Sequence, residues 1–148
     1  MIAVIDIGTV TVRLAVAEVA GGRVLRMAKY SEICNLGVGV DATGLLDTDA
    51  IKRVYMTAAS YVEAAKEAGA QAIVCTLTSA ARDAKNAPDL GMALASLGLE
   101  PMIIPGEIEA ALTFLGVAQD FSGRQILVAD SGGGSPELAL GNVTNNII

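Results

Sequence analysis

The chain has 148 residues, enough for one domain with a buried core, and two lobes within it would each be small. Its 10 Lys and Arg residues are outnumbered by 16 Asp and Glu residues, the net charge is −6, and no basic run occurs. This balance argues against extended nucleic-acid binding. It does not argue against an anion site, because a metal ion, backbone dipoles and single cations can bind a phosphate locally.

Apolar periodicity predicts three antiparallel strands at the amino terminus, over residues 1–7, 11–19 and 23–31. Residues 35–46 have no clear periodicity and are predicted to form a loop. Asp47 or Thr48 then caps a long helix, which continues to Gly69. The apolar residues of this helix recur at spacings of three and four, so the helix is expected to lie on the sheet.

Strands and helices alternate in the middle of the chain. Residues 71–76 and 100–104 are predicted strands, and each is followed by a helix. Ser79 is the predicted N-cap of a short helix, and Pro88 begins a longer one that ends at Gly98.

The last predicted helix begins after Pro105 and ends near Gly116. Four of its apolar residues are expected to pack inward, namely Ile108, Ala111, Leu112 and Leu115. The order βββαβαβα predicts one α/β lobe over residues 1–121, with a mixed sheet and flanking helices. A hairpin then opens a second region, residues 122–148. No helix follows to cover it, so we expect a fragment that lacks its second lobe, or a hairpin that pairs with another chain, as in a homodimer.

Two stretches share the order strand, aspartate, glycine turn and hydroxyl residue. Glycines let backbone N–H groups approach an anion closely, and carboxylates hold hard cations. A single stretch of this kind could equally be a hairpin turn that binds nothing. Because the pattern recurs, we predict two loops that face one cleft and hold one phosphate. The residues are Asp6, Gly8, Thr9 and Thr11 in the first loop, and Asp130, Gly132, Gly133, Gly134, Ser135 and Glu137 in the second.

The composition also indicates the cellular setting. The longest uncharged run, residues 68–81, is too short to span a bilayer, and Asp6 interrupts the apolar amino terminus, unlike a secretory signal. The chain has no histidine and only two cysteines, Cys34 and Cys75. We therefore expect a cytoplasmic protein with structural thiols and without a membrane segment or a zinc site.

Five ordered motifs cover nearly the whole chain. They begin at Asp6 (DIGTVTVRL), Gly39 (GVDATG), Thr78 (TSAARD), Gly106 (GEIEA) and Asp130 (DSGGGSPE). In these motifs the chain resembles the exopolyphosphatase/guanosine pentaphosphate phosphohydrolase (Ppx/GppA) family of the actin-like ATPase superfold. The resemblance implies the amino-terminal lobe of that family, an actin-like (ribonuclease H-like) mixed five-stranded sheet, plus the first hairpin of a second lobe.

The resemblance also implies Mg²⁺-dependent hydrolysis of a terminal phosphoanhydride in polyphosphate or guanosine pentaphosphate. Glu109 matches the catalytic glutamate, the general base for the attacking water, and its place in the first turn of a helix favours an ionised carboxylate. Arg82 matches an arginine that contacts substrate phosphate. Asp6, Asp130 and Glu137 match acidic positions around the metal and phosphate. The remaining matches are the phosphate-loop residues Gly8, Thr9, Thr11, Gly132, Gly133, Gly134 and Ser135.

Both residues also have a non-functional interpretation. Glu109 could be only a charge at a helix terminus, like Glu107, and Arg82 could only pair with Asp83 or another nearby acid. The chain also departs from the family pattern. Val10 replaces a usual Asn and Ala111 a usual Arg, and less frequent choices stand at Val38, Ile108 and Pro136.

Loss of these polar groups predicts weaker substrate contacts. The alternatives are therefore a non-catalytic sensor of a phosphorylated ligand such as an alarmone, or a sugar-kinase-like or ATPase member of the superfold. A half-walled cleft would admit water, so the isolated chain is expected to have weak or no activity.

Overall fold

The computed structural model describes residues 1–133 and 136–143, without the side chains of Pro136 and Glu137. The strands are β1 (Ile2–Ile7), β2 (Thr11–Ala20), β3 (Arg23–Ile33), β4 (Ala72–Leu77), β5 (Pro101–Ile103), β6 (Gln125–Ser131) and β7 (Pro136–Asn142). The helices are α1 (Val40–Thr43), α2 (Thr48–Glu67), α3 (Ser79–Asp83), α4 (Ala87–Ala95) and α5 (Gly106–Ala118).

Five strands form one mixed sheet in the order β3-β2-β1-β4-β5. The first three strands are antiparallel, whereas β4 and β5 run parallel to β1 and β4 respectively. Within the part of the chain that the structure describes, β6 and β7 pair only with each other, in a separate antiparallel sheet. The predicted fold class, a mixed five-stranded sheet with flanking helices and a further hairpin, is confirmed.

The core lies between one face of the five-stranded sheet and helix α2. Alternate residues of β1 and β2 point to this face and are buried, as are Cys75 and Leu77 of β4. Helix α2 begins where predicted, since Asp47 Oδ1 accepts hydrogen bonds from the N–H groups of Asp49 and Ala50, both at 3.0 Å. Its buried residues follow the predicted spacing: Ala50, Val54, Ala58, Val62 and Ala65.

Several local predictions are wrong. The predicted loop contains the short helix α1, which is flanked by Gly39 and Gly44 in left-handed conformations. The N-cap position of α3 belongs to Thr78, and Ser79 is the first helical residue. Helix α4 ends at Ala95, before its predicted end at Gly98. A tight turn follows it and leads to Gly98, whose φ is +78°.

The inward packing predicted for α5 is also wrong. Ile108, Leu112 and Leu115 are 49%, 53% and 42% exposed, and Ala111 is exposed as well. Helix α5 contacts the hairpin more than the five-stranded sheet. On one face of the hairpin, Val128 is buried. On the other face, Leu127, Leu138 and Leu140 are exposed.

None of the helices described has the length and apolar character needed to cross a membrane. Cys34 and Cys75 are buried and form no disulfide, as expected. Burial, with a smaller contribution from the nearby Asp6 charge, raises the pKa of the Cys75 thiol from 9.0 to about 12.

Candidate active site at the ends of the parallel strands

Three adjacent parallel strands end in one row of the sheet. Ile7, the last residue of β1, is the register neighbour of Leu77, and Leu77 is the register neighbour of Ile103. The segments that follow these residues therefore start at the same edge. In open α/β sheets this edge, at the carboxyl ends of the strands, is where ligands bind.

The first segment is the turn from Gly8 to Thr11. Gly8 N–H donates to the Thr11 carbonyl at 2.9 Å and so closes the turn. The N–H groups of Thr9 and Val10 donate to no acceptor among the residues described. These two amides can therefore donate to an anion at this turn.

Residues 34–37, which we call the brace, hold this turn in place through backbone hydrogen bonds. The N–H groups of Cys34 and Asn35 both donate to the Val10 carbonyl, at 2.9 Å, and Gly37 N–H donates to the Thr9 carbonyl at 2.8 Å. A Cβ on Gly37 would clash with Thr9 Cγ2, so only glycine allows this approach. The brace fixes the shape of the turn before any ligand arrives.

The second segment, α3, adjoins the first turn. Thr78 N–H donates to the Ile7 carbonyl at 3.2 Å, and a Cβ built on Gly8 would lie 3.9 Å from Thr78 Oγ1. Ala80 also packs near Gly37, on the brace of the first turn. Helix α3 thus carries Arg82 away from the first turn and toward the third segment.

Arg82 and Glu109 form an ion pair between α3 and the first turn of α5. Arg82 Nη1 lies 2.7 Å from Glu109 Oε2 and also donates to the Ile104 carbonyl at 2.8 Å. The two side chains are 21% and 22% exposed. Arg82 therefore pairs with Glu109 and not with Asp83. Glu109 has a specific partner, which the exposed Glu107 lacks among the described residues.

The second glycine loop contacts the first turn. A Cβ on Gly133 would clash with Val10 Cγ2 and would lie 3.2 Å from Val10 Cβ. Gly133 therefore lies beside the turn that contains Thr9. Gly134 and Ser135 fall outside the described residues, so their predicted phosphate contacts stay predictions.

The predicted magnesium ligands have the right chemistry, but the structure does not bring three of them together within the part of the chain described. Asp6 Oδ1 accepts a hydrogen bond from Thr76 Oγ1 at 2.9 Å, which orients the carboxylate. Asp130 is exposed near the end of β6, and the Glu137 side chain lies outside the description. Two carboxylates of the type that Mg²⁺ prefers are therefore present, and the complete site remains a prediction.

Sequence reasoning missed the residues that support the predicted site. Thr76 orients Asp6 from 70 positions away, and no sequence signal gives that pairing because it depends on strand register. Thr78, which is buried beside Gly8, lay within a recognised motif but was not singled out. The brace at residues 34–37 carried one usable signal, the glycine at position 37.

Comparison with known proteins finds that the chain is similar to the members of one family. The family model described as "Ppx/GppA phosphatase family" matches residues 15–147. Exopolyphosphatase 2 of Mycobacterium tuberculosis is 36% identical over 154 residues, which cover 95% of this chain and 48% of that relative.

Solved structures agree. The crystal structure of the Aquifex aeolicus member of the Ppx/GppA family has a TM-score of 0.83 at 31% identity, over 96% of this chain and 47% of that one. An exopolyphosphatase from Cytophaga hutchinsonii has a TM-score of 0.88 at 29% identity, over 95% and 46%. The chain thus spans about half the length of the relatives that it matches.

Proposed function

Because the chain belongs to the Ppx/GppA phosphatase family and has its actin-like fold, we propose that it takes part in hydrolysing the terminal phosphoanhydride bond of inorganic polyphosphate or guanosine pentaphosphate. The observation that carries the proposal is the alignment of Ile7, Leu77 and Ile103, which starts all three site segments at one edge of the sheet. Relatives named exopolyphosphatase favour polyphosphate as the substrate.

The proposed step is an in-line attack of water on the terminal phosphorus. Glu109 accepts a proton from the water as the new P–O bond forms. The bridging P–O bond breaks, and its electron pair leaves with the shortened chain, so that the products are orthophosphate and a polyphosphate one unit shorter. Glu109 Oε1 is the oxygen that we expect to accept this proton, because Oε2 already accepts a hydrogen bond from Arg82 Nη1.

The transferring phosphate would lie between the two glycine loops. The amides of Thr9 and Val10, the hydroxyls of Thr9 and Thr11, and the second loop of Gly132 to Ser135 would contact its oxygens. Mg²⁺, held by Asp6, Asp130 and Glu137, would neutralise charge on the phosphoryl group. The proposed setting is the cytoplasm, with Cys34 and Cys75 as buried structural thiols.

A second candidate is a sensor that binds a phosphorylated ligand without turnover. Val10 favours it, because an apolar side chain stands where the loops meet, against Gly133. Ala111, which is exposed on α5, likewise supplies no polar group to a ligand.

The test compares Glu109→Gln with the control Glu107→Gln, a carboxylate in the same helical turn that is exposed. Orthophosphate release from polyphosphate with Mg²⁺ and the affinity for tripolyphosphate are measured side by side. For a general base, Glu109→Gln lowers release by about 10²- to 10⁴-fold while binding persists, and Glu107→Gln changes release little.

Unchanged release in Glu109→Gln would contradict the proposed mechanism. A half-walled cleft alone predicts weak release, so tight binding without release favours the sensor only if release also stays absent when a second lobe is supplied.

A further inference from the structure

The hydrogen-bond donors of Arg82 fall into two groups, one with acceptors among the described residues and one without. Its Nη1 carries two hydrogens, and the two bonds to Glu109 Oε2 and the Ile104 carbonyl use both. Nε and Nη2 donate to no acceptor among residues 1–133 and 136–143. One edge of the guanidinium is therefore committed to the protein, and the opposite edge is not.

Solvent reaches the uncommitted edge, since no side-chain nitrogen or oxygen of the described residues is both buried and without a partner. Gly106 lies beside this edge, where a Cβ would make only an ordinary contact of 3.9 Å with Arg82 Nη2. The Nε and Nη2 hydrogens are parallel, and this fork matches two oxygens of one phosphate. A phosphate can bind this edge without breaking the ion pair to Glu109.

We propose that Arg82 is a positioning residue for Glu109: one guanidinium edge orients the carboxylate while the other binds the substrate phosphate. The proposal rests on the proposed function of the same site. Its consequence is that a single planar group sets the distance between base and phosphate. The Ile104 carbonyl, at the end of β5, anchors that plane to the sheet.

Glu109 is held through one oxygen only. Arg82 contacts Oε2, and Oε1 has no hydrogen-bond partner among the described residues. Both lone pairs of Oε1 are therefore unengaged and can accept the water proton, while the bond from Arg82 to Oε2 fixes the plane of the carboxylate.

Arg82→Lys is the decisive variant because it keeps the charge but loses the fork. A single ammonium can attract phosphate, but it cannot hold Ile104, Glu109 and two phosphate oxygens at fixed angles. We expect kcat to fall at least tenfold, with KM for polyphosphate changing by a smaller factor. A loss confined to KM would overturn the inference and leave Arg82 as a phosphate contact alone.

Tripolyphosphate binding by the same chain gives a second readout that needs no turnover. If the two edges act separately, Glu109→Gln changes the affinity no more than Glu107→Gln does, and Arg82→Gln weakens binding equally with Glu or Gln at position 109. If Glu109→Gln instead tightens binding beyond the control, and only when Arg82 is present, Glu109 and phosphate compete for one edge. That result would overturn the inference.

The two proposals fail in different ways. Wild-type release by Glu109→Gln would remove the proposed base and, with it, any role in positioning that base. Release lost in Glu109→Gln but fully kept in Arg82→Lys would leave the proposed function standing and remove only the positioning role.

Discussion

The protein has two regions whose apolar residues differ in burial. The first region is the five-stranded sheet with α2 and α4, and the second is α5 with the β6–β7 hairpin. In the first region, Leu90 and Leu94 of α4 are fully buried, as is Val54 of α2. In the second, Leu112 on α5 and Leu127 and Leu140 on the hairpin are exposed. Both regions have regular apolar periodicity, so periodicity identifies a face that can be buried and does not show whether this chain buries it.

The difference bears on the expectation of a missing lobe or a homodimer, which stays a prediction. Exposed leucines from both strands share one face of the hairpin, because Leu127 and Leu140 are register partners. Either expectation needs an apolar surface of this kind.

The largest expected effect tests burial directly with two matched helical leucines. Leu90→Ala removes a fully buried side chain in α4, and we expect it to lower the free energy of unfolding by about 2–5 kcal/mol. Leu112→Ala on α5 should change it by about 0.5 kcal/mol or less, since that side chain is already half in water. Urea denaturation measures both, and equal losses would contradict the contrast between the two regions.

A smaller effect tests the join between the regions. Gly133→Ala introduces a methyl group that clashes with Val10, although the backbone at Gly133 does not require a left-handed φ. We expect hydrogen exchange to show that the opening free energy of β6–β7 amides falls by about 1–3 kcal/mol, while β1 and β4 amides stay protected.

The double variant Val10→Ala/Gly133→Ala is the control for that experiment. Removing two methyl groups from Val10 makes room for the new one, so protection should return. No loss in Gly133→Ala alone would show that the two loops do not pack as described.

The smallest expected effect tests whether water is excluded from the core of the first region, where Cys75 lies. Burial raises the pKa of Cys75 to about 12 in the folded protein, above its ordinary 9.0. The folded state therefore keeps its thiol proton where the unfolded state has lost it. This stabilisation is complete below pH 9 and is lost as the pH rises toward 12.

Cys75→Val removes that titration. Relative to the unmodified protein, we expect its unfolding free energy to decline less steeply, by about 1 kcal/mol between pH 9 and 10, with parallel curves below pH 8. Parallel curves throughout would mean that water reaches the thiol.

Local signals in the sequence were enough for much of the fold. Asp47 and the apolar spacing after it gave the start and the buried face of α2, because capping and amphipathicity act within a few residues. The exposed face of α5 could not be predicted in this way, since what covers a helix is decided by distant parts of the chain.

The site shows the same limit. Motifs identified Arg82 and Glu109, and the structure brings them together beyond the carboxyl ends of β4 and β5. Their ion pair joins residues 27 positions apart, and the bond from Thr76 to Asp6 joins residues 70 apart. Such partners depend on strand order and register, which the motifs do not encode.

The shared row of Ile7, Leu77 and Ile103 has a consequence for how this site can diverge. The starting points of all three segments are set by backbone hydrogen bonds within the sheet, which do not depend on side-chain identity. Substitutions such as valine at position 10 can therefore accumulate in the turns while the scaffold keeps Arg82 and Glu109 in register. Substrate preference in such a protein can drift by exchange of a few loop residues, without any redesign of the strands beneath them.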